Sequence, residues 1–206
     1  AKSAGVSVST VSHVINSTRF VDPETEKRVR SAIEALRYRP NSVARSLRRR
    51  ETNTIGLIVP DNSNPFFAEV ARAIEDCGFA ENYNVILCNS DGSEEKEKIY
   101  VDVLLSKRVD GMILISSSHY SKQLRHILEM KVPLVVVDRE LDDLPVDQVL
   151  IDNELGGYLA GQYLLSIGHR RIGCIAGPNE LTPSYMRVAG FRRALSEAGC
   201  VLPDES

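Results

Sequence analysis

The feature that most constrains the fold of this chain is a regular alternation of short apolar runs with longer amphipathic stretches from Thr54 onward. Strands that alternate with helices predict a parallel sheet covered on both faces, because each crossover helix packs back onto the sheet. Right-handed crossovers then give a doubly wound α/β fold. We predict strands at 55–59, 85–88, 111–115, 134–137, 149–151 and 172–176, and helices at 65–80, 94–107, 120–130, 155–167 and 185–198.

The first 40 residues show a different pattern, that of short helices. Gly5 lies in a predicted turn and Ser7 predicts an N-cap, after which apolar residues recur at helical spacing. Asp22 and Pro23 predict the cap and first turn of a following helix. A two-helix unit joined by a glycine-containing turn is the geometry of an all-α helix-turn-helix unit, and its second helix would run from Ser7 to Asn16.

The charge is divided unevenly along the chain. Residues 1–50 contain eleven Lys or Arg and four Asp or Glu, a net charge of +7, whereas the remainder carries −10 and the whole chain −3. A basic head on an acidic body indicates that only the head meets a polyanion. A basic surface without a partner is the alternative that composition leaves open.

The outward face of this second helix carries short polar side chains, which suit hydrogen bonds to base edges and phosphates in a DNA major groove. Val8 is placed to touch a thymine methyl group, and Arg19 is placed to reach the DNA backbone. The alternative is an ordinary helical subdomain with a polar face. The candidate DNA contacts in this unit are Ser7, Val8, Ser9, Thr10, Ser12, His13, Asn16 and Arg19.

Residues 4–16 (AGVSVSTVSHVIN) closely resemble the DNA-reading segment of the LacI/GalR family of bacterial repressors, and residues 41–47 (NSVARSL) resemble its hinge helix. The resemblance continues through the rest of the chain. It implies that hinge helices pair in a dimer and wedge Leu47 between base pairs of the minor groove. Arg45 and Arg48 would offset phosphate repulsion. Packing of Leu47 against the body is the alternative.

Polar residues follow the predicted strands at the edge where open parallel sheets bind ligands. Phe66 and Phe67 stand beside the first polar group, and rings next to hydrogen-bonding side chains suit a sugar. The alternatives are that one ring packs on the sheet and that Asp138 and Asp152 have turn or cap roles. The polar groups occupy 61–64, 89–91, 116–118, 138–139 and 152–153.

The body resembles the periplasmic sugar-binding-protein fold that this family shares, and its pattern is similar to that of ribose-type and purine-type repressors. The resemblance implies a small sugar effector, with ribose or a related pentose favoured because the chain has no tryptophan at the purine-type position. A purine or hexose effector is the alternative. Effector contacts are implied for Asn64, Phe66, Phe67, Asp138, Arg139 and Arg187, and for Ser116, where the residue type departs from the family.

The resemblance also implies a domain plan. Further residues before Ala1 would complete the first helix and further residues after Ser206 would complete a second lobe, so we expect a weakly packed head and poor effector binding by these 206 residues alone. The plan is a helix-turn-helix domain at 1–40, a hinge helix and linker at 41–53, an N-terminal effector lobe at 54–153, and a crossover helix with the start of an incomplete second lobe at 154–206.

The sequence argues against other classes of protein. It lacks the dinucleotide, P-loop, zinc-protease and nucleophile-elbow motifs, so we predict no catalytic residue, no cofactor and no metal. The four separated cysteines are typical of reduced, mostly buried thiols. We predict a cytoplasmic, nucleoid-associated homodimer that binds a palindromic operator in double-stranded DNA and has no membrane partner. The rival classes are an extracytoplasmic sugar-binding receptor and an enzyme.

We expect Leu47→Ala to weaken operator binding strongly, because the duplex loses its apolar wedge, and to leave folding of the body nearly unchanged. A mobility-shift titration together with a thermal unfolding scan measures both effects. Unaltered DNA affinity in this variant would contradict the wedge.

Overall fold

A computed structural model describes residues 1–38, 51–115, 122–138, 141, 144–178 and 181–200. The chain divides into two compact units, residues 1–50 and residues 51–206. The hinge helix predicted at 41–47 lies outside the described residues, and the four-part domain plan stays a prediction.

In its described residues, 1–38, the first unit is built from a short 3-10 turn at Lys2–Ala4 and two helices, α1 at Val8–Asn16 and α2 at Pro23–Ala35. Its core consists of Ala4, Val14 and Val29, one residue from each element. Arg28 on α2 donates from Nη2 to the carbonyl oxygen of Ala4 at 2.7 Å. The turn is thereby held against α2 by both apolar packing and a hydrogen bond.

The second unit contains a five-stranded sheet in which every pairing is parallel. The strand order is β2-β1-β3-β4-β5, which is a doubly wound order and confirms the predicted α/β class. The strands are β1 at Thr54–Val59, β2 at Asn84–Asn89, β3 at Gly111–Leu114, β4 at Leu134–Val137 and β5 at Asp147–Val149. The helices are α3 at Pro65–Ala80, α4 at Glu94–Ser106, α5 at Lys122–Glu129, α6 at Asn153–Ser166 and α7 at Thr182–Glu197.

The central strand β1 supplies apolar side chains to two separate cores. Ile58 belongs to the cluster formed with Leu104 of α4 and Ile127 of α5. Leu57 and Val59 belong to the other cluster, against which residues of α3 pack. Successive strand residues point to opposite faces, so helices cover β1 on both sides and its run is almost continuously apolar.

Two predicted strands differ from the structure. The segment 172–176 is irregular, and Ile175 is fully exposed. A strand forms only when its backbone pairs with a neighbour, and the described residues offer this segment none. The strand predicted at 149–151 lies instead at Asp147–Val149, because pairing with β4 aligns Val135 with Asp147 and Val137 with Val149. The strand register was set by this pairing rather than by the apolar run.

The prediction of mostly buried cysteines is wrong. All four thiols are free, but only Cys88 is buried, whereas Cys77 and Cys174 are exposed and Cys200 is intermediate. Cys88 lies on β2 within the main core, and its burial raises the pKa of the thiol because the charged form is desolvated. The other three lie at positions that the packing of the sheet does not cover. Within the described ranges, no helix combines the length and apolar character that a membrane crossing needs.

A carboxylate holds the chain where it enters the sheet. Asp110, which precedes β3, accepts hydrogen bonds from the backbone N–H of Thr52 at 2.8 Å and of Asn53 at 2.7 Å. It also accepts one from the Thr52 hydroxyl at 3.0 Å. Hydrogen bonds to a charged acceptor are among the stronger ones in proteins, so the start of β1 has a defined position on the body.

Helices α6 and α7 cross with their backbones in contact. A Cβ added at Gly157 would lie 1.9 Å from the carbonyl oxygen of Arg187, and one added at Gly190 would lie 1.9 Å from that of Glu154. Neither position has room for a methyl group. The crossing therefore depends on glycine at both sites, and it determines where α7 places its side chains relative to α6.

We expect Gly157→Ala to lower the thermal unfolding midpoint, because the added methyl group must push the two backbones apart. The neighbouring change Gly156→Ala is the matched control, since a Cβ there meets nothing within 4 Å. On an exposed helix position that change raises stability by about 1 kcal/mol through helix propensity. Equal effects of the two changes on the midpoint would contradict the crossing.

Candidate nucleic-acid interface and effector pocket

Ser7, the predicted N-cap, is the N-cap of α1 in the structure. Ser7 Oγ accepts a hydrogen bond from the backbone N–H of Thr10 at 3.0 Å, and it also contacts the hydroxyl groups of Ser9 at 2.7 Å and Thr10 at 2.8 Å. These contacts satisfy an N–H group that the first helical turn would leave without a partner. Ser7 therefore has a structural role whether or not it touches DNA.

The polar face predicted for DNA binding is present on α1. Successive residues turn by about 100° around a helix, which places Val8, Ser9, Ser12, His13 and Asn16 within one half of the surface, away from buried Val14. Thr10 lies nearer the buried side. The side chain of Val8 is 75% exposed, and Ser9 is also exposed.

Two residues of this face are held by local hydrogen bonds. Asn16 donates from Nδ2 to the carbonyl oxygen of Ser12 at 2.8 Å, and His13 Nδ1 lies 2.8 Å from Thr18 Oγ1. Arg19 follows the helix and is exposed. The face is thus ordered in advance, which reduces the conformational entropy lost when a partner binds.

The next helix is anchored by its own cap. Asp22 accepts hydrogen bonds from the backbone N–H of Glu24 at 3.1 Å and of Thr25 at 3.0 Å. Hydrogen bonds from the side chain and backbone of Thr25, and then from the backbone of Glu24, lower the pKa of Asp22 because they favour the carboxylate. The negative charge also lies at the positive end of the α2 dipole.

In the second unit, Asn64, Phe66 and Phe67 lie at the start of α3, beyond the carboxyl end of β1. Asn64 caps α3 by accepting from the backbone N–H of Phe66 at 3.0 Å. The two rings meet edge to face, with centroids 5.1 Å apart. Phe67 packs on the cluster that contains Leu57. The sequence had left open that one of the two rings packs on the sheet, and Phe67 is that ring. Phe66 is half-buried, as Phe67 is.

A cavity of about 380 Å³ lies beyond the carboxyl ends of β4 and β5. Asp138 lines this cavity, is 8% exposed and has a φ of +60°. Its backbone N–H donates to the carbonyl oxygen of Val149 at 2.9 Å, which holds the turn after β4. The remaining lining residues are Leu150, Ile151, Asp152, Asn153, Glu154, Thr182, Pro183 and Met186.

Arg187 is connected to this cavity through Asn153, which was not among the predicted effector contacts. Arg187 Nε donates to Asn153 Oδ1 at 2.7 Å, and Asn153 lines the cavity. Asp152 caps α6 by accepting from the backbone N–H of Leu155 at 2.8 Å, which is the cap role left open for it. The sequence marked Asn153 only as one of the polar residues that follow a predicted strand, within a segment, 152–153, that resembles ribose-type relatives.

The structure does not assemble every predicted effector contact in one place. Among the described residues, only Asp138 of the predicted effector contacts lines this cavity, whereas Asn64, Phe66, Phe67 and Arg187 do not. Their roles stay predictions. Five predicted site residues lie outside the described residues: Arg45, Leu47, Arg48, Ser116 and Arg139.

Other polar residues at the same edge bond to one another. Asn89 Oδ1 accepts from the backbone N–H of Asn62 at 2.9 Å, and Asn89 donates to Asp91, which also pairs with Lys96. These contacts tie the loop after β1 to the loop after β2. In the part of the chain that the structure describes, no group of three or more His, Cys, Asp or Glu residues has a metal-binding arrangement.

Comparison with known proteins matches both units. Residues 1–41 match the family model for bacterial regulatory proteins of the lacI family. Residues 52–205 match the model for periplasmic binding proteins and the sugar binding domain of the LacI family.

Two curated relatives resemble the chain along nearly its whole length. The HTH-type transcriptional repressor PurR of Aliivibrio salmonicida (strain LFI1238) is 44% identical over 200 residues, which cover 96% of this chain and 60% of that protein. The ribose operon repressor of Escherichia coli (strain K12) is 41% identical over 206 residues, which cover 99% of this chain and 62% of that protein. The chain therefore spans about three fifths of the length of these relatives.

A solved structure extends the comparison to three dimensions. The crystal structure of the lac repressor dimer bound to operator and the anti-inducer ONPF superposes with a TM-score of 0.84 at 26% identity. The superposition covers 98% of this chain and 62% of that chain.

Proposed function

The chain belongs to the LacI family of bacterial regulatory proteins, and from that membership we propose that it acts as a transcriptional repressor whose affinity for operator DNA is controlled by a small sugar-like effector. The observation that carries the proposal is the ordered polar face of α1 on a unit of net charge +7, followed in the same chain by a sheet with a cavity at its carboxyl edge.

In the proposed DNA complex, two copies of the first unit bind the operator. A homodimer places one α1 in each of two successive major grooves, so the operator is palindromic. Ser9, Ser12 and Asn16 read base edges, while Arg19 and neighbouring basic residues contact phosphates. The lac repressor, which is bound to its operator as a dimer, supports this arrangement. We place the protein in the bacterial cytoplasm, on the nucleoid.

The effector step uses the carboxyl edge of the sheet in the second unit. A pentose such as ribose would lay its C–H face on Phe66 and present its hydroxyl groups to Asp138 and Arg187. The effector changes DNA affinity only to the extent that it prefers one conformation of the body over another. The similarity to a ribose operon repressor supports this choice of sugar.

A purine is the second candidate effector, because the chain is 44% identical to a repressor named PurR. The sequence contains no tryptophan, which purine-type relatives have at one position, and this absence favours a sugar effector. The basic head argues against an extracytoplasmic receptor, and we propose a regulator rather than an enzyme.

We expect Arg19→Ala to lower operator affinity and to reduce the slope of log affinity against log salt by about 1, because one phosphate contact and its released counterion are lost. Lys98→Ala is the matched control, since it removes one exposed positive charge from α4 in the second unit. Mobility shifts on a palindromic operator at several salt concentrations measure both. A wild-type chain that prefers no operator over random DNA would overturn the DNA assignment.

We expect D-ribose to raise the unfolding midpoint of the full-length protein more than hexoses or purine bases do, because a ligand stabilises the state that it binds. A thermal-shift panel of pentoses, hexoses and purines measures this ranking. A larger shift with a purine base would replace the sugar by the second candidate.

A further inference from the structure

Asn153 is a buried polar residue in the wall of the cavity, and only 7% of its surface is exposed. Its Oδ1 accepts from Arg187 Nε at 2.7 Å, and its Nδ2 donates to the carbonyl oxygen of Ile151 at 3.1 Å. The backbone N–H of Asn153 donates to the same carbonyl at 2.8 Å. Both ends of the amide are thus occupied, and its orientation follows from its partners.

These two partners belong to different parts of the second unit. Ile151 lies in the segment that leaves β5, whereas Arg187 lies on α7. The glycine crossing brings the backbone of Arg187 against that of Gly157, one turn along α6 from Asn153. The amide therefore ties the end of the sheet to α7 at the point where α7 is closest.

The hydrogen bond also determines how Arg187 presents its charge. A guanidinium is planar and its Nε–H lies in that plane, so a hydrogen bond at Nε restricts the orientations that the two Nη groups can take. Those Nη groups suit a pair of neighbouring oxygen atoms, such as adjacent hydroxyl groups of a sugar. A free arginine side chain samples many rotamers, and holding it before the ligand arrives removes part of that entropy cost from binding.

We propose that Asn153 is a positioning residue for effector recognition, which holds the Arg187 guanidinium beside the cavity in the orientation that binds adjacent hydroxyl groups. The proposal rests on the proposed function, since it assigns Asn153 a role in the same effector site. Asn153 acts through Arg187, and its own place in the cavity wall brings that guanidinium to the ligand.

The test compares four variants of the full-length protein: Asn153→Ala, Asn153→Asp, Arg187→Ala and the double alanine variant. We expect Asn153→Ala to weaken D-ribose binding by about 10-fold or more, because a hydrogen bond to a charged group is lost. Asn153→Asp keeps an oxygen for Nε and retains most of the affinity. The double variant binds no more weakly than Arg187→Ala alone, because the two residues act as one unit.

Gln148→Ala is the matched control for a purely structural loss. Gln148 is also a side-chain amide with two backbone partners, since its Oε1 accepts from the N–H of Leu141 at 2.8 Å and its Nε2 donates to the Leu141 carbonyl at 2.9 Å. It does not line the described cavity. We expect its loss to lower the unfolding midpoint without changing affinity for D-ribose.

A second readout needs no sugar. In NMR spectra of the free protein, the Nε–H signal of Arg187 should be sharp and protected from exchange in the wild type and in Asn153→Asp, and lost in Asn153→Ala. A sharp signal in Asn153→Ala, or unchanged ribose affinity in that variant, would overturn the proposal. If the wild type binds no sugar, the effector assignment fails separately, and the NMR signal still decides whether Asn153 holds Arg187.

Discussion

Parallel pairing of β1 with β2 on one side and β3 on the other is the interaction on which the second unit depends. It aligns Ile55 with Val85 and with Gly111, so the three strands run in the same direction and end at the same edge. Each strand must then be joined to the next by a crossover, and the helices cover both faces of the sheet. Residues from distant parts of the chain lie close together at that edge, because the loop that follows each strand begins there.

Polar residues at this edge have two different uses. Asn89 and Asp61 are engaged within the loops, where Asn89 accepts from the backbone of Asn62 and Asp61 accepts from Ser63. The hydrogen bonds from Ser63, first that of its hydroxyl group, lower the pKa of Asp61 because they favour the carboxylate. Asp138 and Asn153 instead line a cavity. A polar residue after a strand is therefore a ligand contact only where neighbouring elements leave space in front of it.

The predictions from sequence succeed where the signal is local. Ser7 and Asp22 each cap the helix as predicted, and α3 spans the predicted residues 65–80. A cap acts through hydrogen bonds to N–H groups two or three residues away, so the sequence around it contains the whole interaction. The segment 172–176 fails for the opposite reason, since an apolar run becomes a strand only through a partner that its own residues do not specify.

The sequence by itself determined the class of each unit, the caps of α1 and α2 and the chemistry of the α1 face, because helical spacing and capping operate over a few neighbouring residues. Only the tertiary structure decided the register of β5, the packing of Phe67 on the core, and the bond from Arg187 to Asn153, which joins residues 34 positions apart. That bond requires α6 and α7 to approach at Gly157, and such a distance depends on packing between elements, which residue spacing does not encode.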